Sequence, residues 1–193
     1  MKKIRDRPRF SSPATNCIQM TSLRLVNPSK DYEASYRSLL EEFSARGERL
    51  IPFPLGFPHE NFPELIARLE ENSKGLGLPD GFVAHSTYWL VTDSEILGVS
   101  NLRHSLTPAL RKEGGNIGYG VRPTARGQGY GSELLRRTLQ RAKGLGLAKV
   151  LLTCGKANLA SVKVILANGG VLESEEFVAK RNEVVQRYWI DLA

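Results

Sequence analysis

Cysteine is scarce in this chain of 193 residues: Cys17 and Cys154 are the only two, too few for a disulfide framework. That suits a reducing compartment. Long apolar runs are missing too, and none approaches the roughly 20 residues needed to cross a bilayer. The opening MKKIRDRPRF is charged and lacks the apolar stretch of a secretory leader. These absences predict a cytoplasmic protein with no membrane partner. No metal site is expected, and neither an internal repeat nor a low-complexity segment occurs.

Acidic residues are outnumbered, 20 against 27 Lys and Arg, for a formal charge of +7. The excess is uneven. Lys2, Lys3, Arg5, Arg7 and Arg9 against Asp6 put +4 in the first ten residues and leave +3 for the rest. A basic arm on a nearly balanced domain reads as a solvated extension, with a nucleic-acid binder as the alternative. The segment through Cys17 has no periodicity and holds Pro8 and Pro13. Residues 1–19 are therefore expected to be a disordered extension, and residues 20–193 a single domain. Apolar content of 41% and charged content of 24% are ordinary for such a domain.

A short strand at residues 22–26 leads into a helix over NPSKDYEASYRSLLEEFSARG. Tyr32, Tyr36, Leu39, Leu40 and Phe43 share one face of it, Ser29 can cap its start and Gly47 ends it. NFPELIARLEENSKG is a second helix, with Asn61 and Glu64 at capping-box spacing. The loop between them, RLIPFPLGFPHENFP, is too apolar to be merely solvated. Three strands follow, FVAHSTYWLVT, EILGVSNLR and NIGYGVR, the first two joined tightly through Asp93-Ser94. The loop HSLTPALRKEGG before the third is long enough to project over a site. Helix and strand then alternate through SELLRRTLQRAKGLGL, KVLLTC and NLASVKVILANGG, the last with Asn158 as N-cap and Gly169 as stop. GVLESEEF and EVVQRYWIDL close the chain as strands. The order predicts an α/β (α+β) fold, a mixed sheet with helices on both faces.

RPTARGQGYGSELL sets three glycines at alternate positions before a helix, although each glycine in a first turn costs roughly 1 kcal/mol against alanine. The first N–H groups of a helix lack intrahelical partners and carry the positive end of its dipole. Absent side chains at Gly127, Gly129 and Gly131 would let a diphosphate lie against them; a flexible turn is the alternative. The spacing fits neither the dinucleotide fingerprint G-x-G-x-x-G nor a Gly-Lys-Ser/Thr phosphate loop.

It does resemble Arg/Gln-x-x-Gly-x-Gly/Ala, the coenzyme A pyrophosphate loop of the GNAT superfamily of N-acetyltransferases, with Arg126, Gly129 and Gly131 in its defining places. GYGVRP is similar to that family's fourth strand, and ANLASVKVILANGG to its later helix. TYWLV, LRHSL and GGNIGYGVRP resemble a bacterial subgroup, and the likeness in element order spans residues 20–193. The resemblance implies a mostly antiparallel sheet of six to seven strands, its fourth and fifth splayed around the pantetheine arm of acetyl-CoA. Backbone groups of Tyr119 and Val121 would bind that arm, one N–H there polarising the thioester carbonyl. The backbone of Arg126, Gly127, Gln128, Gly129, Tyr130, Gly131 and Ser132 would hold the pyrophosphate. Asn158 would reach the cofactor, or only cap its helix; for Tyr119 the alternative is core packing.

A lysine-type amine with a pKa near 10.4 is neutral in about one molecule per thousand at pH 7.4, so proton removal needs help. Histone-type relatives begin the fourth strand with a glutamate, whereas here Gly115-Asn116 stand there. The catalytic candidates are His104, Asn116 and Tyr119; His104, at the end of the third strand and near Asn116, is the remaining base candidate, a structural histidine being the alternative, and Glu113 comes second. The tyrosine that serves relatives as acid, four residues after the helix serine, falls on Ile165 counting from Ser161. Cys154 reads as a small buried hydrophobe, or as a thiol near the thioester. The expectation is an N-acetyltransferase moving acetyl from acetyl-CoA to a primary amine by direct attack, with a non-catalytic acetyl-CoA-binding module as the alternative. Its acceptor pocket is expected from IPFPLGFPHENF, the loop from His104 to Asn116, and Trp89. Small amines, amino acids, an aminoglycoside-like drug or a protein N-terminus all remain as acceptors. No nucleic-acid partner is expected, and a homodimer is left open.

Overall fold

The sheet divides at Asn116. A computed structural model describes residues 22–192, so the readings for residues 1–19 lie outside it. In chain order the elements are β1 (Arg24–Val26), α1 (Glu33–Ala45), α2 (Phe62–Ser73), β2 (His85–Val91), β3 (Ile96–Arg103), α3 (Pro108–Lys112), β4 (Ile117–Val121), α4 (Tyr130–Gly144), β5 (Lys149–Gly155), α5 (Leu159–Ala167), β6 (Val171–Val178) and β7 (Glu183–Asp191). The strands form an antiparallel sheet β1-β2-β3-β4 and a second one, β5-β7-β6. Among the described residues no helix is long and apolar enough to cross a membrane.

Every residue of β2 is buried, because both faces of the first sheet are covered. Trp89 and Val91 face one way, onto Tyr36, Leu39 and Phe43 of α1 and Phe62, Leu65 and Leu69 of α2. Tyr88 and Leu90 face the other way, onto Leu134, Leu135 and Ala142 of α4, in a core continuous with Leu152 of β5 and Ile190 of β7. The expected helix starts shift slightly. Ser29 caps a single 3-10 turn before α1, accepting from the Asp31 N–H at 3.3 Å. Asn61 caps α2 through the Glu64 N–H at 3.4 Å. α4 begins at Tyr130, two residues ahead of the expected Ser132. The long loop before β4 holds a helix of its own, α3, started by Pro108 and capped by Thr107 Oγ1, which accepts from the Leu110 N–H at 3.2 Å.

β4 is fastened at both ends. At its start the Asn116 N–H donates to the Leu151 carbonyl at 2.7 Å, and Asn116 Oδ1 accepts from the Leu151 N–H at 2.8 Å. Its Nδ2 donates to the Arg103 carbonyl at 3.2 Å, so one buried amide joins β3, β4 and β5. At the other end the buried Arg122 donates to the carbonyls of Ile96 and Ser35, each at 2.7 Å, and pairs with Glu42 at 2.7 Å. Glu42 also accepts from the Thr124 N–H at 3.1 Å, which holds the turn after β4 against α1. Between these clamps β4 and β5 share no ladder. They splay.

Asn116→Ala would leave the buried Leu151 N–H without its acceptor, at a cost of about 2–3 kcal/mol. Urea denaturation should show a loss of that order. A loss within about 0.5 kcal/mol, the range of an ordinary surface change, would mean that the junction is held elsewhere.

Candidate functional site

The splay opens a cavity of about 820 Å³ between β4, β5, α4 and α5. Antiparallel pairing decides which peptide groups face it. The Arg122 N–H bonds the Leu97 carbonyl on β3 at 2.8 Å. By alternation Gly120 and Gly118 also turn toward β3, while the peptide groups of Tyr119 and Val121 turn into the cleft. The Val121 carbonyl there accepts from Arg126 Nε at 3.2 Å. The segment Ile51-Pro52-Phe53 lies so close to β4 that a Cβ on Gly120 would collide with the Ile51 carbonyl.

The loop after β4 supplies donors. Gly129 precedes α4 at φ +83° and Gly127 stands at φ +79°, both in the left-handed region, with open space where a side chain would point. Gly131 is small for another reason: a Cβ there would press on Val164 at 3.3 Å. No side chain caps α4, and the N–H groups of residues 127–131 donate to no acceptor among the described residues. Arg49, Arg103, Arg126, Lys163 and Arg181 line the cavity, against Glu48 as its one acid among the described residues. Unfilled donors, a helix N-terminus and a cationic wall suit a polyanion such as a diphosphate. The Arg126 side chain itself turns aside, its two terminal nitrogens meeting the Glu48 carboxylate at 2.8 and 2.6 Å.

Of the residues singled out in the sequence, Tyr119, Val121, Arg126, Gly127, Gly129, Tyr130, Gly131, Ser132 and Asn158 line this cavity; Gln128, His104 and Asn116 do not. Asn116 has its side-chain amide engaged at both ends by the junction already described, a structural role set beside its candidacy as a catalytic residue. His104 follows Arg103 and turns the other way, its Nε2 meeting Ser86 Oγ at 2.9 Å. Partial burial holds its pKa below the usual histidine value. Glu113 pairs with Lys180 at 3.1 Å, outside the wall. Asn158 Oδ1 caps α5 through the Ser161 N–H at 3.1 Å while its edge lines the cavity, so its two readings coexist. Cys154 is buried yet also lines the cavity, and burial pushes its thiol up to about 11, which keeps it uncharged. Burial likewise pushes Tyr119 up to about 12, its hydroxyl donating to the Ser161 carbonyl at 3.5 Å. Trp89 is wholly buried in the core and takes no part in a pocket, whereas Ile51, Pro52, Phe53 and Gly114 do. Arg103 and Arg181 went unnoticed in the sequence because a lone arginine carries no spacing signal.

The family model of the acetyltransferase (GNAT) domain matches residues 22–171. No curated protein matches the sequence. Among solved structures, the acetyltransferase that modifies the N-terminal serine of a 50S ribosomal subunit protein in Salmonella typhimurium superposes with a TM-score of 0.64 at 18% identity, over 89% of this chain and 95% of that one. The spermidine N-acetyltransferase of Vibrio cholerae gives 0.58 at 19% identity, over 88% and 94%. A putative acetyltransferase of Salmonella typhimurium holding its cofactor acetyl-CoA gives 0.60 at 11%, over 89% and 94%.

Two measurements check the site. Gly129→Val places a side chain in the open space before the loop, at about 1–2 kcal/mol of left-handed strain, without striking the protein. Acetyl-CoA affinity measured by calorimetry should fall about a hundredfold, a loss of roughly 2.7 kcal/mol; unchanged affinity would discard the loop. The second concerns His85, buried beside Phe53, whose pKa is pushed down to about 4 by burial and then by the charges of Arg103, His104 and Arg68. The unfolded chain takes up that proton near pH 6.5 and the folded one does not, so stability falls as pH drops from 6.5 toward 4. His85→Gln should flatten this part of the urea-midpoint profile, and an unaltered slope would assign it to other groups.

Proposed function

We propose that this chain, which belongs to the GNAT acetyltransferase family and is an acetyl-CoA-dependent N-acetyltransferase, acetylates by direct attack an amine of modest basicity, of the α-amino kind. Acetyl-CoA brings the acyl group already activated as a thioester. The main chain from Arg126 to Ser132 holds its diphosphate, and the cleft-facing peptide groups of Tyr119 and Val121 hold its arm. One of those N–H groups donates to the acyl oxygen as charge gathers on it, a contribution of about 3 kcal/mol for donors of this kind.

One observation carries the choice of amine. The chain has three histidines, His59, His85 and His104, and none lines the cavity. Its one lining carboxylate among the described residues, Glu48, is engaged by Arg126. The acceptor therefore arrives neutral or loses its proton to solvent. An α-amino group with a pKa near 7.8 is about one-quarter neutral at pH 7.4, against about one-thousandth for a lysine amine, an advantage of about 3 kcal/mol. The N-terminal serine acceptor of the ribosomal-protein acetyltransferase is an amine of this kind.

The pH profile of kcat/KM, followed by free-thiol release, tests this reading. Its inflection should move with the acceptor, to about 8 for an α-amine and about 10 for a lysine-type amine. An inflection fixed near 6–7 for every acceptor would mean that a protein group removes the proton. Binding of acetyl-CoA with no thiol released on any amine would make the chain a binding module.

A further inference from the structure

Arg103 differs from the other charged groups around the cavity. Arg126 is matched by Glu48 and Arg181 by Glu183. Arg49 and Lys163 are exposed to solvent. The Arg103 guanidinium is half-buried, lies against the Phe53 ring at 5.3 Å, and has no acidic partner among the described residues. Its Nη1 donates to the carbonyls of Gly114 and Gly115 at 3.2 and 3.1 Å. Its Nε and Nη2 are not sealed off and find no acceptor among the described residues. Those two nitrogens form one edge of the planar fork, the edge that matches the two oxygens of a carboxylate or phosphate. A half-buried guanidinium without a counter-charge is costly, and an anion would relieve that cost.

Position excludes the carrier's own diphosphate as that anion. Arg103 adjoins the start of β4 through its N–H to the Asn116 carbonyl at 2.7 Å, whereas the glycine loop follows the strand's far end. Five residues of extended chain separate the two, roughly 15 Å. Phe53 and Gly114 line the cavity beside Arg103.

We infer that Arg103 receives an anionic group, a carboxylate or a phosphate, carried by the amine acceptor. The inference rests on the acetyltransferase reading above and adds to it an acid group on a small amine; where that group is a carboxylate beside the nitrogen it raises the amine's basicity in solution, and pairing with Arg103 offsets this.

The test compares leucine with leucinamide and glucosamine 6-phosphate with glucosamine, at equal concentrations of neutral amine, by thiol release. In at least one pair the wild type should favour the anionic member about tenfold or more in kcat/KM, through KM. Arg103→Gln should collapse that preference by about the same factor, and Arg103→Lys should restore part of it as a charge without the fork. A preference that survives Arg103→Gln, or neutral members favoured in both pairs, overturns the inference. Because Nη1 also supports Gly114 and Gly115, a second measurement uses the wild type alone. Calorimetry in the presence of coenzyme A should find N-acetylleucine or N-acetylglucosamine 6-phosphate bound more tightly than its neutral counterpart, and equal or weaker binding of both overturns the inference. Thiol release on neutral amines only would sink the anion site and keep the transferase. Tighter binding of an anionic product without thiol release on any amine would do the reverse.

Discussion

The cleft depends on a strand held at both ends while its outer edge stays unpaired. An open edge with exposed N–H and C=O groups ordinarily invites another strand. Here the two clamps keep β5 from closing that gap. Asn116 ties β4 to Leu151 at a single point, and Arg122 pulls the other end onto α1 and β3. Arg122 is nearly out of water, so its desolvation must be offset. Two carbonyls, Ser35 Oγ and the carboxylates of Glu42 and Glu95 do this together, where one ion pair would roughly break even.

Charge is graded along that strand. At the loop end the fixed donors are main-chain groups, whose geometry does not depend on a flexible side chain, and Arg126 is drawn off by Glu48. Glu133 in the first turn of α4 favours the helix dipole from the flank, and its pairing with Arg136 and Arg137 pulls its pKa down to about 2. The carboxylate therefore stays charged but neutralised locally, and does not oppose an anion at the helix start. At the other end a single guanidinium stands against an aromatic ring. Unfilled main-chain donors thus lie past one end of β4, and the Arg103 guanidinium, at the end of β3, lies beside the other.

Much of this was legible in the sequence, and the parts that were not share a cause. Seven strands and the four longer helices were readable, most of them because burial on one or both faces writes itself into the order of apolar residues; β6, exposed along most of its length, is the exception. α3 was missed because five residues are too few to show a period, although Thr107-Pro108 is a sound start signal. The glycine loop was readable because main-chain binding demands missing side chains, and a missing side chain is visible in sequence. The directions in which the Asn116 and His104 side chains turn were not readable, for the opposite reason. Which way a side chain turns at a strand end depends on pairing with β5 and β2, contacts 35 and 18 residues away. Arg103, one position before His104, was invisible on the same grounds. The strand period of two sends such neighbours to opposite faces, and sequence alone does not say which face holds the cavity.

A cationic wall also bears on how an amine loses its proton where no side chain takes it. Like charge disfavours the ammonium form, so a positive cleft lowers the pKa of an amine bound in it. At about 6 Å and an effective dielectric near 20, one unit charge contributes about 2.8 kcal/mol, roughly two pKa units, and screening by solvent reduces this. A carboxylate on the acceptor would work against the effect, because it holds the ammonium proton in solution. Pairing with Arg103 cancels that pull at the moment of binding. The guanidinium then does two things with one contact: it orients the acceptor at the start of β4, and it frees the neighbouring nitrogen to lose its proton to water. A cleft that worked this way would do its acid–base work through fixed charge, and the protonation state of the acceptor would become part of its specificity.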